Sequence, residues 1–533
     1  MTGVSLSRSG RRVAGANPSG DARPGSVIVI GGGFGGLAAA IRLRAAGHAV
    51  TLVEARERLG GRAYQLQTDG YTFDMGPSLI TAPHLLRELW SAAGRRLEDD
   101  VTLQPLSPFY RIYFRDGRHF DYWGLAEADE AEIARFEPRD VAGYRAFLAR
   151  SGQLYDRAFV ELADQPFLTL GSFARVVPEL VRSGAQRSVY ATVSRYFRDP
   201  ALRMVFSFHP LFIGGNPFRA SAIYSIVPYL ERLGGVHFTP GGMYSLVEAM
   251  ERLLRDLGGQ VLCGAPVERI LVRDSRAVGV RLAGGAELRA DAVVANSDVA
   301  TTYLELLPPE ARPRLGGLRL RSYHYSMSCF LLYLGLTRQY EQLRHHTIIM
   351  SDRYRRLVHD IFDGHGLPDD QALYLHAPTK SDPAMAPPGG ESVYALVPVP
   401  NLAHGIDWTR EADPFRDRII GFLEHDFGLE GLAVSIAVER RFTPLDFAGD
   451  LRSHLGAAFS IEPTLTQSAH LRPHNRSSSL GGLYFVGAGT HPGAGIPGVL
   501  LSADITSRLV TQDLAATPAA RSSPSVSTPA SAR

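Results

Sequence analysis

Cysteine and lysine are nearly missing from this 533-residue chain: two cysteines, and all but one of the 56 basic residues are arginine. Cys263 and Cys329 form no C-x-x-C pair, so neither a disulfide framework nor a thiolate zinc site is expected, and a reducing compartment fits. A Schiff-base mechanism would have only Lys380 to draw on. Long apolar runs are also lacking. The stretch opening at Ser26 is broken by Arg42 and Arg44, short of the about 18 uncharged residues a spanning helix needs. Net charge is +2, so no strong field steers the chain toward nucleic acid, and no nucleic-acid partner is expected. Residues 1–25 have no apolar segment of the kind a secretory signal carries and read as a flexible tail. The Ser/Pro/Ala-rich 516–533 reads as a disordered one.

What is present is a globular composition, 45% hydrophobic and 21% charged, long enough for about three domains. "VIVI" (Val27 to Ile30) reads as a buried parallel strand. Gly31, Gly33 and Gly36 then supply G-x-G-x-x-G: a tight turn, a close backbone approach to pyrophosphate, and close helix–sheet packing. A helix follows and stops at Gly47, a suitable C′ residue. The strand "AVTLVE" ends in Glu54, where an acid accepts from a ribose 2′-hydroxyl and argues against a 2′-phosphate. The order describes a Rossmann-like dinucleotide-binding unit in an α/β protein.

A second glycine pair, Gly60-Gly61, precedes Arg62 directly after that acid. It resembles the motif of the flavin-dependent amine-oxidase and carotenoid-desaturase superfamily. That resemblance implies FAD, with Arg62 offering a fork of donors to its phosphates. "GYTFDMGPSLI" resembles the superfamily's stretch near the flavin, with Asp74, Gly76 and Pro77 at matching places. Val267 matches a valine whose backbone meets the adenine. "VGAGTHPGAGIPGV" is again a strand–turn–helix junction able to aim N–H groups at the flavin end, and Gly487, Gly489, Thr490, Pro497, Gly498 and Val499 are its candidate cofactor-binding residues.

That last block resembles the C-terminal signature of bacterial phytoene desaturases, and the likeness extends over residues 26 to about 512 through blocks such as "SPFYRIYFRDG", "FTPGGMYSLVEAM" and "TQSAHLRPHNR". It implies an FAD-binding domain assembled from 26–95, 236–300 and 481–515. An α+β substrate domain with a helical membrane-facing part would comprise 96–235 and 301–480. It further implies phytoene and partly desaturated carotenes as substrates, oxygen or quinone as electron acceptor, and peripheral attachment at the cytoplasmic face of the cell membrane. Arg175 is the candidate for orientation or charge control. The aromatic-rich stretch 188–215 fits a hydrocarbon tunnel wall or an ordinary core. The histidines, including His209, His345-His346, His376 and His491, have no metal-ligand spacing, and His345 and His346 would face opposite ways in a strand. No metal is expected. Two rival readings are another flavin oxidase of the superfamily and a non-catalytic prenyl-lipid carrier.

Overall fold

The computed structural model describes residues 24–312 and 319–516; the two tails expected at 1–25 and 516–533 lie almost wholly outside these. Short β-branched runs separated by glycine turns form a five-stranded parallel sheet. Its order is Leu483–Phe485, Ala292–Ala295, Ser26–Ile30, Ala49–Val53, Gln260–Leu262. Neighbours in this sheet come from distant parts of the chain, as the sequence motifs require. The helix Phe34–Ala45 fills the space between the sheet and the helices Met243–Asp256 and Ile496–Ala516. Most of its residues are buried, which explains an apolar pattern too even for a surface helix. Gly47, at φ +90°, ends it.

A seven-stranded sheet organises the other half, in the order Ile436–Phe442, Ser328–Leu336, Glu391–Val399, Leu373–His376, His346–Ile349, Tyr110–Tyr113, His119–Tyr122. All pairs are antiparallel except His346–Ile349 with Tyr110–Tyr113. Every residue of Ser328–Leu336 is buried, so this strand is covered on both faces. Phe330, Leu332, Leu334 and Leu336 pack under the helix Trp408–Gly421. Cys329, Leu331 and Tyr333 face the other way, into a core shared with helices of residues 126–234. The second face borders the cavity described next. Among the described residues no helix is long and apolar enough to cross a membrane.

Candidate functional site

The first turn is built as its glycines require. Gly31 lies at φ +94° and donates to Val53 O at 2.8 Å. A Cβ on Gly36 would sit 2.0 Å from Gly31 O, so the helix rests on the turn itself. Glu54 is buried. Its carboxylate accepts from Gly32 N–H at 2.7 Å and Arg56 N–H at 2.9 Å, which fixes it at the edge of the turn. The second glycine pair folds back onto the first turn, with Gly60 N–H donating to Gly32 O at 2.9 Å.

Arg62 follows directly. One terminal nitrogen donates to Ser453 Oγ at 2.7 Å, while Nε is buried with no partner. Burial lowers its pKa below the ordinary arginine value. A buried guanidinium with an unused donor, beside a backbone cradle too tight for any Cβ, fits an anionic group such as a dinucleotide pyrophosphate. At the far turn, the helix Ile496–Ala516 opens with Ile496, Pro497, Gly498 and Val499 on the same cavity. Pro497 has no N–H and Val499 N–H donates to Gly495 O at 2.9 Å, so the N–H groups this helix start can offer the cavity are those of Ile496 and Gly498.

One cavity of about 660 Å³ joins these elements. Gly31, Gly33, Glu54, Gly60, Gly61, Arg62, Gly76, Pro77, Val267, Gly487, Pro497, Gly498 and Val499 line it. So do Phe208, Phe212, Ile348, Tyr354, Tyr374 and Leu396, a wall of rings and branched aliphatics. Within the 188–215 stretch Phe206 is core, whereas Phe208 and Phe212 touch the cavity.

Several expectations need correction. Asp74 does not line the cavity. Its carboxylate accepts from Met243 N–H at 2.9 and 3.0 Å and caps the helix Met243–Asp256, and burial pushes its pKa up to about 7. Gly489 and Thr490 also stand behind the lining: Thr490 Oγ1 donates to Pro473 O at 2.7 Å, and a Cβ on Gly489 would meet Ser460 and Val299. Arg175 is exposed on the helix Leu170–Arg182 and is absent from the lining, although its neighbour Val176 is part of it. The histidine pair is the last correction. His345 precedes the strand His346–Ile349, so strand alternation does not separate the two. A ring nitrogen from each of His345, His346 and His376 lies within 4.8 Å of the others.

Three further groups had no sequence signal of their own. Asn296, at the end of "AVVAN", donates to Gly31 O at 3.3 Å and lies where a Cβ on Gly35 or Gly487 would fall, locking the first and last glycine turns together. Arg472 is fully buried and donates to Ile461 O, Ala488 O and Thr490 O at 3.0, 2.7 and 3.2 Å, holding the last turn by its carbonyls. Glu231 and His209, both almost fully buried, line the cavity and meet at Tyr110: its hydroxyl donates to Glu231 Oε2 at 2.9 Å and lies 2.8 Å from His209 Nε2. Burial, and then the Glu231 charge, raise the Tyr110 pKa, keeping the phenol protonated.

Residues 34–511 match the family described as flavin containing amine oxidoreductase. The phytoene desaturase (lycopene-forming) of Pseudescherichia vulneris is 49% identical over 490 residues, 91% of this chain and 99% of that protein. The chain belongs to the phytoene desaturase family. A neurosporene-forming phytoene desaturase from Rhodobacter capsulatus is 41% identical over 91% of this chain and 94% of its own length. Among solved structures, cyclohexylamine oxidase from Brevibacterium oxydans matches with a TM-score of 0.58 at 16% identity, covering 92% of this chain and 100% of the other. A triple mutant of putrescine oxidase matches with a TM-score of 0.60 at 16% identity, over 93% and 99%. These last two show the α/β fold. Membership of the family makes the chain a flavin-dependent oxidoreductase.

Proposed function

We propose that this chain is an FAD-dependent phytoene desaturase that introduces double bonds successively, toward neurosporene or lycopene. One observation carries the reading: a single cavity joins a nucleotide cradle to an apolar wall. FAD, among flavins, is favoured by Glu54 at the ribose position and Val267 at the adenine position, both of which an adenine-bearing half would occupy. Bound there, the flavin supplies the two-electron acceptor needed to remove hydrogen from a hydrocarbon. The protein's share is placement. The glycine turns and Arg62 neutralise and fix the pyrophosphate, and Phe208, Phe212 and Tyr374 exclude water from the chain lying beside it. Oxygen or a quinone serves as the terminal acceptor. Incubating purified protein with FAD and phytoene-loaded liposomes, then scanning for coloured polyenes, tests the reading; phytoene recovered unchanged by flavin-loaded protein would refute it.

The substrate also dictates where the protein works. At about 0.8 kcal/mol per buried CH₂, carrying a C40 hydrocarbon through water costs on the order of tens of kcal/mol. Delivery from a bilayer follows, at the cytoplasmic face of the cell membrane. The helix Leu170–Arg182 supports a docking position: Val177 and Val181 are exposed on it, 36% and 54%, one and five residues past the cavity-lining Val176. Flotation with neutral phosphatidylcholine vesicles should survive high salt, which screens charge but not apolar contact. Replacing both valines by glutamate should abolish it. Wild-type protein that stays in solution while desaturating vesicle-held phytoene at full rate would rule the docking out.

A further inference from the structure

Behind the cavity wall, His346 pairs directly with His376 across two strands, and His345 adjoins both. All three are buried, with His346 and His376 fully so.

The neighbouring hydroxyls fix where the protons are. Gly76 O can only accept, so Tyr394 spends its hydroxyl proton there, at 2.7 Å. Ser78 Oγ, 3.1 Å from Tyr394 OH, must then donate to Tyr394. Tyr374 OH, 2.6 Å from Ser78, must donate to Ser78. His346 Nδ1, 2.6 Å from Tyr374 OH, is left as the donor to Tyr374. Its Nε2 is therefore a bare lone pair, and that atom is buried without a partner. His345 Nδ1 lies 2.7 Å from Ser381 Oγ, a contact in which either atom can donate. His345 Nε2 and His376 Nε2 lie 3.2 Å apart. Two nitrogens bound at about 2.0–2.1 Å to one tetrahedral ion stand at nearly that spacing.

We propose that His345, His346 and His376 bind a divalent first-row transition ion, Zn²⁺ being the one an all-imidazole site suits. Hydroxyls already orient the second nitrogen of two of the three rings, the arrangement that fixes metal-binding tautomers elsewhere. Three neutral ligands leave the ion its full charge, so the fourth position falls to water or hydroxide. The ion's task is structural. It ties the strands His346–Ile349 and Leu373–His376 together and, through His346, holds Tyr374 in the cavity wall, with no part in the redox step.

Tag-free protein expressed with added Zn²⁺, loaded with flavin and dialysed, should retain about one equivalent of Zn²⁺ by mass spectrometry. His346→Gln/His376→Gln should lose the metal while keeping its flavin. X-ray absorption at the zinc edge of the wild type should show three imidazoles, a reading that holds even where the double variant fails to fold. Wild-type protein carrying less than about a tenth of an equivalent, or zinc retained equally by the folded double variant, would overturn the proposal. So would an edge spectrum without imidazole scattering.

Discussion

Gly61 rests against Gly33 so closely that a Cβ on Gly61 would lie 3.2 Å from the Gly33 Cα. The two turns are thus one surface: a side chain on Gly61 would press on Gly33, and a Cβ on Gly33 would lie 3.1 Å from Asn296 Nδ2. Gly61 also needs φ +56°. Gly61→Ala should fold and bind flavin poorly, whereas Gly36→Ala, with its Cβ 2.0 Å from Gly31 O, should cost about 1–3 kcal/mol or more of stability as well. The ratio of flavin absorbance to protein, read beside thermal unfolding, separates the two effects.

Glu54 is held by two backbone N–H groups and lines the cavity, where the proposed function sets the ribose. Glu54→Arg reverses the charge there and should abolish FAD retention. Glu54→Gln keeps one acceptor and should weaken binding by about 1.5–3 kcal/mol, the range for a hydrogen bond to a charged group. Fluorescence titration of apoprotein measures both; equal retention by wild type and Glu54→Arg would remove Glu54 from the site.

For Arg62, the unpartnered Nε gives the expectation its sign. Arg62→Ala should weaken FAD by about 1.5–3 kcal/mol. Ser453→Ala, which frees another Arg62 nitrogen without removing the charge, should change affinity far less. An unchanged affinity in Arg62→Ala would leave the residue a packing element.

Asp74 supplies a pH dependence. Its carboxyl is raised to about 7 in the folded chain, against about 4 when unfolded. Between those values the folded state holds a proton that the unfolded state has released, so this group's contribution to stability falls as pH rises from about 4 to about 7. Asp74→Asn keeps an acceptor for Met243 N–H and does not titrate. Its melting temperature relative to wild type should therefore climb between about pH 4 and about pH 7 and level off above. A constant difference would place the carboxyl outside that range.

Tyr110→Phe removes the hydroxyl that donates to the buried Glu231 carboxylate. A loss of about 1–3 kcal/mol in denaturant unfolding is expected. Tyr110→Phe/Glu231→Gln should recover part of it, because the amide leaves no buried charge to stabilise.

The first glycine turn and Glu54 were legible in the sequence because both belong to one strand–helix–strand unit, whose length sets their spacing; the partner of Arg62, Ser453, lies 391 residues away and was not. Nor was Asp74. Its partner, the N–H of Met243, lies 169 residues away, and only the packed structure shows that the carboxylate turns toward a helix end. Arg175 carried a charge at a suggestive place, but helical periodicity sends it to solvent while Val176 points inward. His376 reaches His346 by strand pairing, a register that no spacing rule encodes. Arg472 and Asn296 act through backbone carbonyls, whose positions exist only once the turns have formed.

The order of strands in the parallel sheet bears on how the molecule is made. Ser26–Ile30 is made long before Ala292–Ala295, which must arrive before it is flanked on both sides, as Leu483–Phe485 must before that strand is covered in turn. Until then the nascent chain exposes a β-branched edge open to pairing with other chains. Completion of the cradle waits on Ile496–Ala516, which packs against Phe34–Ala45 from the other end of the sequence. Cofactor capture therefore waits until residues 496–516 have been made, and a chain stopped short of residue 496 lacks one wall of the cradle.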